Sequence, residues 1–292
     1  MSANPTLIIA GATGYGVWPA NTMEGVRQCL AAPVDGIEID VQMTADGQVV
    51  AHHDYWLDPE ATRLNGQWLE EPSAPLKALT LAELERFDVG ALRPGSRHAT
   101  RYPHLQPMDG ARIPTLRAIL QRLASAPGEP SRLYIEVKTD PNRPDAATDP
   151  ALFVAAVLDE VDRAGWAAHT KIIAFDWQVL RLSRAARPDV ATAHLTIPRR
   201  LVEGDAPPEG SDSLWFDGFD PRRHGSELAA IKAHGGMEWS PYFTDMTPER
   251  LAEAAVLGLK VGPWGLSAAE DIAAMQRLGV FSATVSGPAW GC

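Results

Sequence analysis

The sequence predicts an α/β chain folded as a closed (β/α)8 TIM barrel, with an insertion after the second barrel strand region. Three observations predict it. Short β-branched or apolar runs alternate with amphipathic stretches along the chain, a rhythm that implies a parallel sheet covered by helices. About eight such units fit into 292 residues, and eight close a barrel. Gly36-Ile37-Glu38-Ile39-Asp40-Val41 alternates with period 2, carboxylates on one face and branched apolar side chains on the other, as a barrel strand with a working inner face should.

The elements follow in order. Strands are expected at 6–10, 36–43, 132–138, 171–175, 190–194, 213–216, 236–240, 259–262 and 280–285. Helices are expected at 23–31, 113–124, 151–165, 177–186, 248–257 and 268–278. Thr22, Thr247 and Ser267 stand where helix N-caps belong, the second of them before Pro248. Residues 55–112 break the rhythm with Pro-rich loops, many charges and one helical piece at 81–87. They read as an insertion overhanging the C-terminal face of the barrel, where it would shape substrate access. The whole of 1–292 is read as one barrel domain.

Composition narrows the function. With 45% hydrophobic and 22% charged residues, the chain is globular and long enough for a large core. A net charge of −11 without a basic cluster argues against nucleic acid as a partner. No apolar run reaches the ~20 residues of a membrane span, and the start has no basic, then apolar, leader pattern. The expectation is a cytoplasmic protein acting on a small molecule. Two cysteines, Cys29 and Cys292, are too few for a disulfide framework or a thiolate metal site; Cys29 reads as a small apolar helix residue.

The chemistry concentrates in a few residues. Glu38 and Asp40 share one strand face and repel each other unless a proton or cation lies between them. They read as metal ligands, or as a solvated acidic strand. His53 follows a second apolar run, Val49-Val50-Ala51, and is the candidate proton-transfer group; its neighbour His52 is expected to face the other way. Tyr134-Ile135-Glu136-Val137-Lys138 adds a third carboxylate. Glu38, Asp40 and Glu136 form an all-oxygen set suited to Mg²⁺ or Ca²⁺. Lys138 either holds an anionic substrate group or is the counter-ion of Glu136. Tyr15 is either a proton donor or a packing residue. Trp18, Trp56, Trp177, Trp239 and Trp264 are either pocket lining or core.

At these residues the chain resembles the glycerophosphodiester phosphodiesterases. The resemblance covers nearly the whole length and rests on Pro19-Ala20-Asn21-Thr22, the Glu38 strand, Thr44, Asp46-Gly47, His53-Asp54, Ile135-Glu136-Val137-Lys138, Phe175-Asp176-Trp177, Trp239-Ser240-Pro241 and Pro263-Trp264. It implies a (β/α)8 barrel with an insertion and a divalent cation on Glu38, Asp40 and Glu136. It implies that His53 is one of two catalytic histidines, that Lys138 serves the phosphate, and that Trp264 lines the alcohol side. The departures are specific. The family opens with a strand ending His-Arg-Gly, then Pro-Glu-Asn-Thr; here Gly11, Ala12 and Thr13 stand at the first motif and Ala20 at the glutamate. A histidine and a phosphate-clamping arginine are therefore missing. Ser-Phe-Asp reads Ala174-Phe175-Asp176, Trp-Thr-Val-Asn reads Trp264-Gly265-Leu266-Ser267, and Thr-Asp-Tyr-Pro reads Val285-Ser286-Gly287-Pro288.

The expectation is a divalent-metal-dependent enzyme on this barrel. Its pocket, opened at Gly11, Ala12 and Ala20 and lined by Phe175 and the tryptophans, is re-cut for a bulkier, less anionic substrate. The reaction is a lyase, cyclisation or transfer step with His53 moving the proton. The alternative is hydrolysis of glycerophosphodiesters to glycerol 3-phosphate, with a water activated at the cation and His53 as the acid. A second alternative is a binding protein that keeps the fold.

Overall fold

The computed structural model describes residues 5–125, 132–198 and 214–287. Strand β1 (Leu7–Ala10) runs into a single 3-10 turn (Gly11–Thr13) and then helix α1 (Met23–Leu30). Thr22 caps α1, its hydroxyl accepting from the Gly25 N–H at 3.1 Å. Strand β2 (Gly36–Met43) turns back as an antiparallel hairpin into β3 (Val49–Ala51). Gly47, at φ 76°, supplies the left-handed residue of that turn. Next come β4 (Arg63–Leu64), β5 (Gln67–Trp68), α2 (Leu81–Leu84), β6 (Phe87–Asp88) and α3 (Arg97–Arg101). The three short strands make a separate sheet in the order β5-β4-β6. Val50, Leu57, Leu76, Leu84 and Ile113 pack as a small core beneath this segment.

The barrel resumes with α4 (Leu116–Ala124), β7 (Leu133–Val137), α5 (Pro150–Arg163), β8 (Thr170–Ala174), α6 (Trp177–Ala186) and β9 (Ala191–Thr196). It continues through α7 (Pro221–His224), α8 (Glu227–Ala233), β10 (Glu238–Pro241), α9 (Pro248–Val256), β11 (Lys260–Val261), α10 (Ala269–Leu278) and β12 (Ser282–Val285). Eight parallel strands pair in the order β11-β10-β9-β8-β7-β2-β1-β12. The ladder thins between β11 and β12. There the Phe281 N–H donates to the Val261 carbonyl, Thr284 to Pro263 and Ser286 to Leu266, so the barrel is nearly closed.

Period 2 sorts the side chains. Ile37, Ile39, Val41, Ile135, Val137 and Ile172 face outward and pack with Val26, Leu120, Phe153, Val157 and other helix residues. Ile9, Tyr134, Ile173, Ala193 and Leu195 fill the interior. Cys29 is buried in α1. Among the described residues no helix is long and apolar enough to cross a membrane.

One expected strand is corrected. Leu214–Phe216 is a 3-10 turn, and Ser213, Pro288 and Cys292 lie outside the described residues. The apolar run there packs instead of pairing: Trp215 is buried, and the Phe216 ring stands edge-on to Trp177 at 5.1 Å. The other eight expected runs are the eight barrel strands.

Candidate active site

Strands β2 and β7 lie side by side with Asp40 aligned to Glu136. This register and the period of 2 bring Glu38, Asp40 and Glu136 together inside the barrel, towards the C-terminal strand ends. Their ligand oxygens lie within 4.8 Å of one another, and all three residues are buried. Lys138, just past β7, donates to Glu136 Oε1 at 2.6 Å and pairs with Asp40 Oδ1 at 2.9 Å.

Three further hydrogen bonds lock the set. The Asn21 amide donates to Asp40 Oδ2 at 2.9 Å, and Asn21 Oδ1 accepts from the Asp40 N–H at 3.0 Å. The Ala12 N–H donates to Glu38 Oε2 at 2.7 Å. This last contact requires an unusual backbone: Ala12 and Thr13, neither a glycine, adopt φ 42° and 57°. Such left-handed conformations cost on the order of 1 kcal/mol each and persist where neighbours hold them.

Charge is not balanced here. Three carboxylates face one ammonium, and Glu38 Oε1 is buried without a hydrogen-bond partner. Burial, then the Asp40 and Glu136 charges, push Glu38 well above the carboxylate range. Burial likewise raises Glu136, against the opposing pull of Lys138. Asp40, although buried, is held at about 2 by Lys138, His53 and Asn21. A buried, negatively charged, all-oxygen set with an orphaned carboxylate oxygen fits a hard divalent cation.

The acid/base candidates stand beside it. His53 Nδ1 lies 2.7 Å from Asp54 Oδ1. Lys138's charge opposes protonation of His53, but the Asp40 and Asp54 carboxylates outweigh it and raise its pKa. His52 lines the same cavity rather than facing away. The chain leaves the strand after Ala51, so alternation no longer applies; His52 Nε2 lies 3.4 Å from the Trp56 carbonyl.

The cavity measures about 840 Å³. Gly11, Ala12, Tyr15, Ala20, Phe175 and Trp264 all line it. Phe175 meets Trp264 edge-on at 5.8 Å, Tyr242 meets it at 5.0 Å, and the Trp264 indole donates to the Thr196 carbonyl at 3.2 Å. Gly11 leaves no empty socket. A Cβ there would stand 3.1 Å from Ser286 Oγ and 3.2 Å from Thr284 Cγ2.

Four expected pocket tryptophans are elsewhere. Trp177 and Trp239 sit between strands and helices, in a core with Leu228, Ile231 and Leu259. Trp239's neighbours in β10, Glu238 and Ser240, take the inner face, so period 2 sends the indole outward. Trp18 packs against the main core, and Trp56 lies beside Tyr55; neither lines the cavity. Conversely, sequence reasoning gave no role to Asn21, Asp54, Tyr242, Asp58 or His98, all of which line it. Asp54 was signalled by its adjacency to His53, and Asn21 by the turn before α1.

The fold and the site together define a (β/α)8-barrel protein with an acidic triad at the C-terminal mouth, able to hold a divalent cation. The model of the glycerophosphoryl diester phosphodiesterase family matches residues 11–285, and the chain belongs to that family. A glycerophosphodiester phosphodiesterase of Caldanaerobacter subterraneus subsp. tengcongensis is 24% identical over 275 residues, 94% of this chain and 91% of that protein. The Bacillus subtilis protein YhdW is 29% identical over 188 residues, 64% of each chain. A crystal structure from Silicibacter pomeroyi, classed with the glycerophosphoryl diester phosphodiesterases, superposes with a TM-score of 0.84. It shares 33% identity and covers 98% of this chain and 92% of that one. An Oleispira antarctica phosphodiesterase, solved with its product sn-glycerol-3-phosphate, shares the fold at a TM-score of 0.67 and 16% identity, covering 96% of this chain and 93% of that one.

Proposed function

We propose that this chain is a divalent-metal-dependent enzyme that cleaves a phosphodiester, with Glu38, Asp40 and Glu136 holding Mg²⁺ or Ca²⁺. One observation carries the reading: a buried triad whose negative charge exceeds its one ammonium and whose Glu38 Oε1 has no partner. A cation bound there would neutralise phosphate charge and polarise the reacting centre.

The chain's own residues divide the remaining work. Lys138 adds positive charge beside the triad and fixes the Asp40 and Glu136 carboxylates. His53, whose proton is held by Asp40 and Asp54, donates to the leaving alcohol oxygen. Phe175, Tyr242 and Trp264 form an aromatic wall for the alcohol side of the substrate. Residues 55–112 act as the insertion that covers the mouth, contributing Asp58, Val89, Leu92 and Tyr102 to its lining.

A second reading is favoured by the bare backbone at Gly11 and Ala12, which offers no cationic clamp for a phosphate. There the pocket takes a bulkier, less anionic diester, and a hydroxyl of the substrate itself attacks phosphorus. The alcohol leaves, a cyclic phosphate forms, and no water is consumed.

Phosphorus NMR on a panel of glycerophosphodiesters, with Mg²⁺, with Ca²⁺ and with chelator, tests both. Metal-dependent appearance of glycerol 3-phosphate supports hydrolysis. A cyclic phosphate as the end product supports the second reading. No turnover of any diester by the cation-loaded protein contradicts both.

A further inference from the structure

At Gly11, where the resemblance places a second histidine, the cavity offers no side chain to take the attacking group's proton. In the same cavity, three residues from three separate segments meet. The Tyr15 hydroxyl lies 3.4 Å from His98 Nδ1, and His98 Nε2 lies 3.2 Å from Asp58 Oδ2. Tyr15 comes from the turn after β1, Asp58 from the loop after β3, and His98 from α3. All three line the same cavity as the acidic triad.

Each member is fixed from behind. Asp58 uses its other oxygen to accept the Glu60 N–H at 2.7 Å, while the Glu60 carboxylate accepts the His98 N–H at 3.2 Å. Ser96 caps α3, accepting from the Ala99 N–H at 3.0 Å. The Tyr15 ring packs on Tyr102 with centroids 4.3 Å apart, and the Tyr15 carbonyl accepts the Gly287 N–H at 2.6 Å. Asp58 on Nε2 selects the tautomer that leaves Nδ1 free to accept from Tyr15. The charged and titratable groups facing this set are Asp54, Glu60, Arg101 and Tyr102; Arg101 stacks over the Tyr102 ring at 5.4 Å.

We infer that Tyr15, with His98 and Asp58 as its positioning residues, is a base relay that replaces the side chain absent at Gly11; this rests on the reading of the cavity as a phosphodiesterase site. As the attacking oxygen bonds to phosphorus, its proton passes to Tyr15 Oη. The Tyr15 proton passes to His98 Nδ1, and the Asp58 carboxylate stabilises the imidazolium. As the bond from phosphorus to the alcohol oxygen breaks, His53 gives its proton to that oxygen. His98 then returns its proton to solvent. Two imidazole-carboxylate pairs thus take opposite roles, one as acid and one as base.

Bis(4-nitrophenyl) phosphate separates these roles, because its leaving group needs no acid. On this probe, with Mg²⁺, Tyr15→Phe and His98→Gln each lower kcat by roughly 10²-fold or more with KM little changed. Tyr15→Phe/His98→Gln loses no more than either single variant. Asp58→Asn moves the acidic limb of the kcat/KM profile to lower pH. Additive losses, or an unmoved profile, overturn the relay. Nitrogen-15 spectra of the histidine side chains test it without turnover: the proton sits on His98 Nε2, and Nδ1 shifts in Tyr15→Phe. A His98 proton on Nδ1, indifferent to Tyr15→Phe, overturns it as well. A wild-type enzyme that turns over neither this probe nor any glycerophosphodiester overturns the phosphodiester reading and the relay with it, whereas turnover without the double-variant and pH signatures overturns the relay alone.

Discussion

Two lysines of the barrel interior, Lys171 buried and Lys138 largely buried, face opposite situations. Towards the N-terminal strand ends, Lys171 donates to both Glu238 oxygens at 2.6 and 2.8 Å. Its ammonium also lies over the Tyr134 ring, 4.0 Å from the centroid, and 4.9 Å from that of Phe281. One cation meets one carboxylate, and every charge-bearing atom has a partner. Towards the C-terminal ends, Lys138 meets Asp40 and Glu136 while Glu38 adds a third carboxylate with an orphaned oxygen. The first arrangement is self-sufficient and structural. The second is incomplete in charge and in hydrogen bonding, and completing it takes a proton or a cation. A buried ion pair is weak evidence of function; a buried excess of one sign is stronger.

The contrast breaks most visibly when each side loses a carboxylate. Glu238→Gln strands the Lys171 ammonium and is expected to cost about 3–5 kcal/mol. Glu38→Gln removes like-charge repulsion while the side-chain oxygen still accepts the Ala12 N–H, so the metal-free protein should melt at the same or a higher temperature. Urea unfolding of both variants in chelator measures the two effects. Equal destabilisation would show that the two lysine sites are alike.

A pair of buried histidines outside the barrel gives the next effect. His194 Nε2 and His234 Nδ1 lie 2.9 Å apart. Burial holds His234 down to about 4 and His194 well below its ordinary value. A histidine with a depressed folded pKa binds its proton more readily when unfolded. Stability is therefore complete above about pH 6.5 and falls as the pH drops from there towards 4. For His234 the loss between pH 7 and pH 5 is about 2 kcal/mol. His234→Gln should flatten the dependence of the urea midpoint over that range; an unchanged slope would contradict the assignment.

Gly11→His gives an effect of similar size. A histidine at this position pushes Cβ against Thr284 and Ser286, an overpacking that costs roughly 1–3 kcal/mol. Thermal melts should show the loss, with no gain in phosphodiesterase turnover. A stable, faster Gly11→His variant would mean that the site merely lacks its histidine and has not been rebuilt.

How far the site was legible depended on whether its residues follow a period. Glu38, Asp40 and Glu136 were readable because a strand repeats every two residues and neighbouring parallel strands bring equivalent positions together. The same rule, applied to Glu238-Trp239-Ser240, would have sent Trp239 outward. Helix α8 carries a sequence signal too, a serine at Ser226 just before its first turn, and the structure uses it as the cap that accepts the Ala229 N–H. His98 and Asp58 were not readable. They lie in an aperiodic segment of short strands and turns, and only tertiary packing brings them to Tyr15.

The central claim is that the unbalanced triad takes a divalent cation and the balanced pair does not. Calorimetric titration of the metal-free protein with Mg²⁺ and Ca²⁺, on wild type and on Glu38→Gln and Glu136→Gln, tests it most directly. One saturable site, lost in both variants, is the predicted result. No binding to the wild type, or binding that survives both substitutions, would contradict the account.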